Sequence, residues 1–171
     1  MADLELEIAS LIREHRTKRG KRLTISTAES ATGGRLADRL TNVPGSSDYF
    51  QGAAVAYSNE AKINLLGVKK ETLEKEGAVS PRTAIEMAEG GRRLLGTDIC
   101  LSTTGIAGPS GASPGKPVGL FYIGLAAGDK SLSQKHTFSG NREENKRDAA
   151  EAALSLLKQY LLQQLRPAGE R

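Results

Sequence analysis

Between Leu23 and Leu40 a short β-branched run, Leu23 to Ala28, passes through Glu29-Ser30-Ala31-Thr32-Gly33-Gly34 into a helical repeat of Leu36, Ala37 and Leu40. A strand that hands over to a helix must return across the face of its sheet before the next strand can pair, so the connection is a crossover and the next strand runs parallel. The same grammar recurs. Alternating Ala53, Val55 and Tyr57 predict a strand over 52–57, and Ser58-Asn59 starts a short helix that Gly67 ends. A helical turn over 71–76 follows, and Pro81 opens a longer helix carrying Ile85, Met87, Ala88, Leu94 and Leu95 on its apolar face. A third strand is expected over 98–103. The pattern then changes: strands over 118–127 and 131–138 meet at Gly128-Asp129-Lys130, the signature of an antiparallel pair. Helices from Leu4 to about His15, stopped by Gly20, and from Arg142 to Gln163 frame the whole. The expected class is α/β, a three-layer α/β/α sandwich with a mixed, mainly parallel sheet, in one domain over residues 1–165 with a frayed tail over 166–171.

A chain of 171 residues can bury such a core without disulfides or a structural metal. Aromatic residues are only 4% and Trp is absent, which leaves little material for base-stacking platforms. The basic run Arg13, Arg16, Lys18, Arg19, Lys21 and Arg22 lacks interleaved aromatics and reads as a solvated helix end, so no nucleic-acid partner is expected. Acidic Asp3, Glu5 and Glu7 precede it, the wrong order for a targeting peptide, and no apolar stretch approaches the roughly 20 residues that span a bilayer. With one cysteine, Cys100, set between Ile99 and Leu101, the expectation is a buried thiol in a cytoplasmic protein with no membrane partner. His15 and His136 stand alone without ligand spacing, so no metal and no cofactor are expected.

Ligands of α/β folds sit at loops after strands, and three such loops carry unusual chemistry. In the first, Ser30 lies where strand gives way to helix, with Gly33 and Gly34 expected in the first helical turn; Ser30 is either the cap of that helix or a nucleophile beside bare N–H groups. In the second, Lys62 falls in the first turn of a helix, where the dipole disfavours a cation; it is either a solvated surface lysine or a base whose pKa is lowered. Tyr57, beside it, is either core or a catalytic hydroxyl. The third, Thr104-Gly105-Ile106-Ala107-Gly108-Pro109 with Gly111, Gly115, Lys116 and Pro117, has neither P-loop nor dinucleotide spacing and reads only as a generic ligand-wrapping loop. Arg142, after Gly140-Asn141, is either a phosphate grip or an ordinary exposed arginine.

Taken in order, TAESATGG, YSNEAK, GAVS at 77–80, STTGIAGPSG and FSGNR strongly resemble the C-terminal domain family of the competence/damage-inducible protein, over a stretch from about Leu23 to the last helix. The resemblance implies a nicotinamide-nucleotide amidase that turns nicotinamide mononucleotide into nicotinic acid mononucleotide and ammonia in pyridine-nucleotide recycling. It maps the family's serine onto Ser30, its lysine onto Lys62 and its tyrosine onto Tyr57. The residue after the serine is commonly cysteine in the family and is Ala31 here; a backbone N–H serves an oxyanion equally well from either. On this expectation neutral Lys62, relayed or positioned by Tyr57, takes the Ser30 proton, and N–H groups from Ala31, Thr32 and Gly33 stabilise the oxyanion. Thr104, Gly105, Ile106, Ala107, Gly108 and Arg142 are the expected ribose and phosphate contacts. A homodimer or tetramer is implied too. Longer relatives carry an N-terminal nucleotide-binding domain for which this chain has no room, so any pyrophosphatase activity of that domain is expected to be absent. The alternative from another class is a non-catalytic nucleotide-binding or regulatory module on the same fold.

Overall fold

The computed structural model describes residues 3–167 and 169, so the tail expected over 166–171 falls partly outside the described residues. Among these residues five strands form one sheet: β1 (Ile25–Glu29), β2 (Phe50–Val55), β3 (Ile99–Gly105), β4 (Leu120–Ala127) and β5 (Lys130–Thr137). Their order is β2-β1-β3-β4-β5, with β1 parallel to both β2 and β3, and β4 antiparallel to β3 and β5. Only β4 therefore runs against the other four, the mixed and mainly parallel sheet that the crossovers and the late hairpin require.

Among the described residues six α-helices cover it: α1 (Leu4–Arg19), α2 (Arg35–Thr41), α3 (Asn59–Leu66), α4 (Lys70–Lys75), α5 (Pro81–Leu95) and α6 (Arg142–Leu165). Helices α1 and α2 pack on α6 over one face, while α3 and α4 pack on α5 over the other. The first face holds the larger core, where Ile8, Ile12, Ile25, Leu101, Phe121, Ile123, Leu154 and Leu157 meet. Ala149, Ala153, Leu156, Leu157 and Leu161 recur along α6 at helical spacing and are all buried, so this helix holds its place by one apolar stripe.

Helix α5 departs from expectation. Its inward residues are Ala84, Met87, Ala88 and the glycine pair Gly90-Gly91, whereas Leu94 is 51% exposed. The helix lies so close to the sheet and to α3 that small residues, not the large leucine, mark the contact. A Cβ on Gly91 would lie 2.7 Å from Cys100 Sγ, and Ser80 caps the helix ahead of Pro81 by accepting from the Thr83 N–H.

The order 2-1-3 places a topological switch at β1: the chain leaves to β2 through α2 on one face and reaches β3 through α3, α4 and α5 on the other. The two crossovers part at the carboxyl ends of β1 and β3, and the crevice between them is where an open α/β sheet offers a ligand site.

Candidate active site

Ser30 follows the last residue of β1 and is 7% exposed; its N–H donates to the Thr103 carbonyl on β3, which ties it across the switch point. Residues 31–34 form a turn, and α2 starts only at Arg35, four residues later than expected. The cause is visible in the glycines. Gly33 and Gly34 adopt φ of +64° and +98°, left-handed geometry that breaks a helix and that glycine accepts without strain. Ser30 is therefore not the cap of α2.

Glu29 takes that part. It is fully buried and accepts from the Gly34, Leu36 and Ala37 N–H groups and from the hydroxyls of Thr27 and Thr32. The positive end of α2 is thus occupied by a protein carboxylate rather than held open for a ligand. Gly33 N–H is likewise committed, to the Ser30 carbonyl, which corrects its expected place among the oxyanion donors. Among the described residues, the Ala31 and Thr32 N–H groups are the ones in this turn with no protein acceptor.

Lys62 lies within α3, whose start is capped by Ser58 accepting from the Ala61 N–H. Its side chain is 2% exposed, so it is not a surface lysine, and burial holds its pKa down at about 8. The Nζ atom lies 2.9 Å from Ser30 Oγ and donates to the carbonyls of Ala56 and Tyr57, each at 3.1 Å. Those carbonyls are available because β2 stops at Val55 rather than running on to Tyr57. A neutral amine has two N–H bonds and one lone pair. With both N–H bonds engaged by carbonyls, the lone pair faces the serine hydroxyl, the geometry for removing its proton.

Tyr57 serves this arrangement through its backbone. Its ring is 60% exposed, and its hydroxyl accepts from Arg142 Nη2 at 3.0 Å rather than meeting Lys62, so the expected hydroxyl relay has no contact here. Arg142, in the first turn of α6, also donates through Nη1 to the Gly108 carbonyl at 2.7 Å. It thereby joins the loop after β2, the loop after β3 and the start of α6. An open cleft of about 690 Å³ lies beside this bridge, lined by Ala107, Gly108, Pro109, Val118, Asn141 and Arg142 among others.

The loop after β3 contributes less of its expected length. Thr104 and Gly105 still belong to β3; the Thr104 hydroxyl donates to the Ala78 carbonyl, and a Cβ on Gly105 would strike the Phe121 ring at 2.3 Å. Ile106 pairs with Leu120 through its N–H and with Gly119 through its carbonyl. Ala107 and Gly108 alone of the five reach the cleft.

Two further residues, Glu29 and Asn145, shape the site. Glu29 was legible as an acid set just ahead of a helix start, a capping signal that the neighbouring serine obscured. Asn145, fully buried in α6, accepts from the Gly140 N–H and donates to the Ala107 carbonyl, holding the cleft's two walls together; a polar residue one turn inside a helix gives no such signal. Elsewhere, burial pushes the Cys100 thiol up to about 12, as befits an inert core residue. Among the described residues no three His, Cys, Asp or Glu side chains converge as a metal site would need, and no helix is long and apolar enough to cross a membrane.

A serine hydrogen-bonded to a buried lysine, set where the crossovers of a three-layer α/β/α sheet part, puts the candidate site where proteins of this fold class bind their ligands. The chain belongs to the CinA C-terminal domain family, whose profile matches residues 7–161. It is 54% identical over 140 residues to a CinA-like protein of Kosmotoga olearia, covering 82% of this chain and 34% of that protein. The chain thus spans about a third of the length of the curated relatives it matches. Among solved structures, the competence/damage inducible protein CihA from Agrobacterium tumefaciens superposes with a TM-score of 0.85 at 36% identity, covering 95% of this chain and 97% of that one. A CinA superfamily protein from Enterobacter cloacae gives 0.85 at 31% identity, covering 92% and 90%.

Proposed function

We propose that this domain is an amidohydrolase that removes ammonia from the carboxamide of nicotinamide mononucleotide. The observation that carries the reading is the 2.9 Å contact between Ser30 Oγ and a lysine amine that burial holds near pKa 8. Such a pair suits acyl transfer without a metal, and the carboxamide supplies the acyl group. Lys62 takes the Ser30 proton as the oxygen attacks the carboxamide carbon. The tetrahedral oxyanion falls to the Ala31 and Thr32 N–H groups, donors of a kind worth about 3 to 4 kcal/mol each when well placed. The protonated Lys62 returns its proton to the departing nitrogen, ammonia leaves, and water, activated by the same amine, resolves the acyl-enzyme.

The cleft flanked by Arg142, which Tyr57 links to Lys62 through its hydroxyl and carbonyl, takes the rest of the nucleotide. Arg142 meets the phosphate there, exchanging its bond to the Tyr57 hydroxyl for a charged one, while Ala107, Pro109 and Val118 supply the apolar wall. Arg142→Ala is expected to raise KM about 10- to 100-fold, the loss of a charged hydrogen bond, with a smaller change in kcat. Steady-state kinetics on the mononucleotide and on the nucleoside lacking the phosphate check this: the variant should lose most of the preference for the phosphorylated form.

Ammonia release by the purified protein tests the reading, with nicotinamide mononucleotide beside nicotinamide riboside and free nicotinamide. Release from the mononucleotide, resistant to chelators, is the expected result. A folded protein that binds the nucleotide tightly and releases nothing is instead a binding module that keeps the family fold.

A further inference from the structure

We propose that Glu29 is a positioning residue for the nucleophile: its buried carboxylate sets the turn that carries Ser30 and aims the Ala31 and Thr32 N–H groups. The proposal rests on the reading of Ser30 and Lys62 as a reacting pair.

Glu29 is fully buried between β1 and α2. Its Oε2 accepts from Thr32 Oγ1 at 2.6 Å, Gly34 N at 3.0 Å and Leu36 N at 3.1 Å, and its Oε1 accepts from Ala37 N at 2.8 Å and Thr27 Oγ1 at 3.2 Å. A carboxylate offers about four lone-pair directions and no proton, so five donors leave it saturated. It has no lone pair left to act as a second base on Ser30, and it is not a hydrogen-bond partner of Lys62 Nζ, which meets Ser30 Oγ and the Ala56 and Tyr57 carbonyls. Its influence must pass through the turn.

That route is specific. Because the carboxylate only accepts, the Thr32 hydroxyl has to give Glu29 its proton and has to receive one from Thr103 Oγ1, 2.6 Å away. The carbonyl of the same Thr103 accepts the Ser30 N–H at 2.9 Å. Glu29 therefore fixes the direction of a hydrogen-bonded chain that runs from α2 through Thr32 to the β3 residue holding the Ser30 backbone. It also absorbs the N–H groups of Gly34, Leu36 and Ala37. The turn's donors divide as a result: those from Gly33 onward are committed within the protein, and the two directly after Ser30 have no protein acceptor among the described residues. An ordinary capping residue needs only the helix N–H groups; the bonds to Thr32 and Gly34 reach into the turn itself.

Glu29→Gln keeps the shape and breaks the arrangement. Whichever way the amide faces, its NH2 group, a donor, meets donors that now bond a carboxylate oxygen. The turn must shift, and misplacement of reacting groups by about 1 Å costs on the order of 100-fold in rate.

The test compares wild type, Glu29→Gln, Thr32→Val and Ile8→Ala, the last a stability control in α1 away from the site. Four quantities are read: the melting temperature and, at a temperature where all are folded, kcat and KM for ammonia release from nicotinamide mononucleotide and the rate at which a fluorophosphonate labels Ser30. Glu29→Gln is expected to lower kcat and the labelling rate about 100-fold with KM within about threefold, while Ile8→Ala loses melting temperature and keeps both rates. Thr32→Val, which keeps the carboxylate, is expected to slow labelling about tenfold and decides the matter where Glu29→Gln does not fold. A Glu29→Gln protein that melts lower but labels and turns over as wild type reduces Glu29 to a helix cap, and unchanged labelling in Thr32→Val overturns the proposal equally. A wild type that labels at Ser30 without releasing ammonia removes the proposed substrate while the positioning test proceeds on labelling. A wild type that does not label removes the reacting pair and this proposal together.

Discussion

Replacing Lys62 with Met is expected to lower kcat by about 10⁴-fold, the upper end of what a positioned base contributes, while nucleotide affinity changes little. The methionine has similar length and keeps the site filled, but it cannot take a proton from Ser30 Oγ at 2.9 Å. Ser30→Ala is expected to cost more, about 10⁶-fold, as loss of the nucleophile does in a triad enzyme where the remaining groups act as one unit. Combining the two should then cost little beyond Ser30→Ala alone. Additive losses would mean that Lys62 acts somewhere other than on Ser30. The binding readout matters because the two variants leave the cleft around Arg142 intact: a variant that has lost turnover but still binds separates chemistry from recognition.

The same pair sets a pH dependence whose sign follows from burial. Desolvation disfavours the ammonium form, so Lys62 is neutral above about 8 instead of near the ordinary lysine value of 10.5. The neutral form is the base. Wild-type kcat/KM is expected to rise about tenfold per pH unit below that value and to level above it. In Lys62→Met the rise should vanish, and a profile that keeps its step in the variant would assign the titration to another group. Stability should follow the same group. Between about 8 and 10.5 the unfolded chain binds the proton that the folded one has released, so folding becomes more favourable as pH rises through that window; below it both forms are protonated and the folded state carries the full cost of a buried ammonium.

Much of this site was legible in the sequence because its parts are local. Ser58-Asn59 announces the start of α3 and therefore puts Lys62 inside a helix, and Pro81 after Ser80 does the same for α5. Strands whose apolar residues give way to Gly, Ser and Thr predict where the switch point's loops lie. What stayed hidden depends on partners distant in the chain or on backbone geometry. The Gly33-Gly34 pair reads equally as the first turn of a helix or as a left-handed turn before one. Only the buried carboxylate of Glu29, which reaches N–H groups five to eight residues on, decides for the turn. Tyr57 offers both a hydroxyl and a carbonyl, and nothing in the pattern YSNEAK says that the carbonyl faces Lys62 while the hydroxyl faces Arg142, 85 residues later. Leu94 faces solvent for a related reason: helical periodicity rewards large apolar residues, whereas this helix approaches its neighbours on glycine and alanine.

That close approach carries the second large effect. Gly90 lies within α5, and a Cβ there would sit 1.8 Å from the carbonyl oxygen of Leu66, the last residue of α3. Helix propensity alone favours alanine over glycine by about 1 kcal/mol, so an unconstrained Gly90→Ala would stabilise the protein. Here the obstacle is backbone, which cannot rotate away, and α3 has to move as a unit. Gly90→Ala is expected to destabilise by about 3 kcal/mol, the upper part of the overpacking range, lowering the melting temperature by roughly 6–12 °C for a domain of this size. The consequence reaches the chemistry because Leu66 and Lys62 are one turn apart on α3, and Ser30 is anchored separately on β1 and β3. A displacement that relieves Gly90 moves the base relative to the nucleophile. Measured on the folded fraction, kcat should fall together with the melting temperature, and Gly90→Val should be worse on both counts. A Gly90→Ala protein that melts higher would show that α3 and α5 stand further apart than this contact requires. One that melts lower yet turns over normally would show that α3 yields at its carboxyl end while Lys62, held by the Ala56 and Tyr57 carbonyls, stays with Ser30.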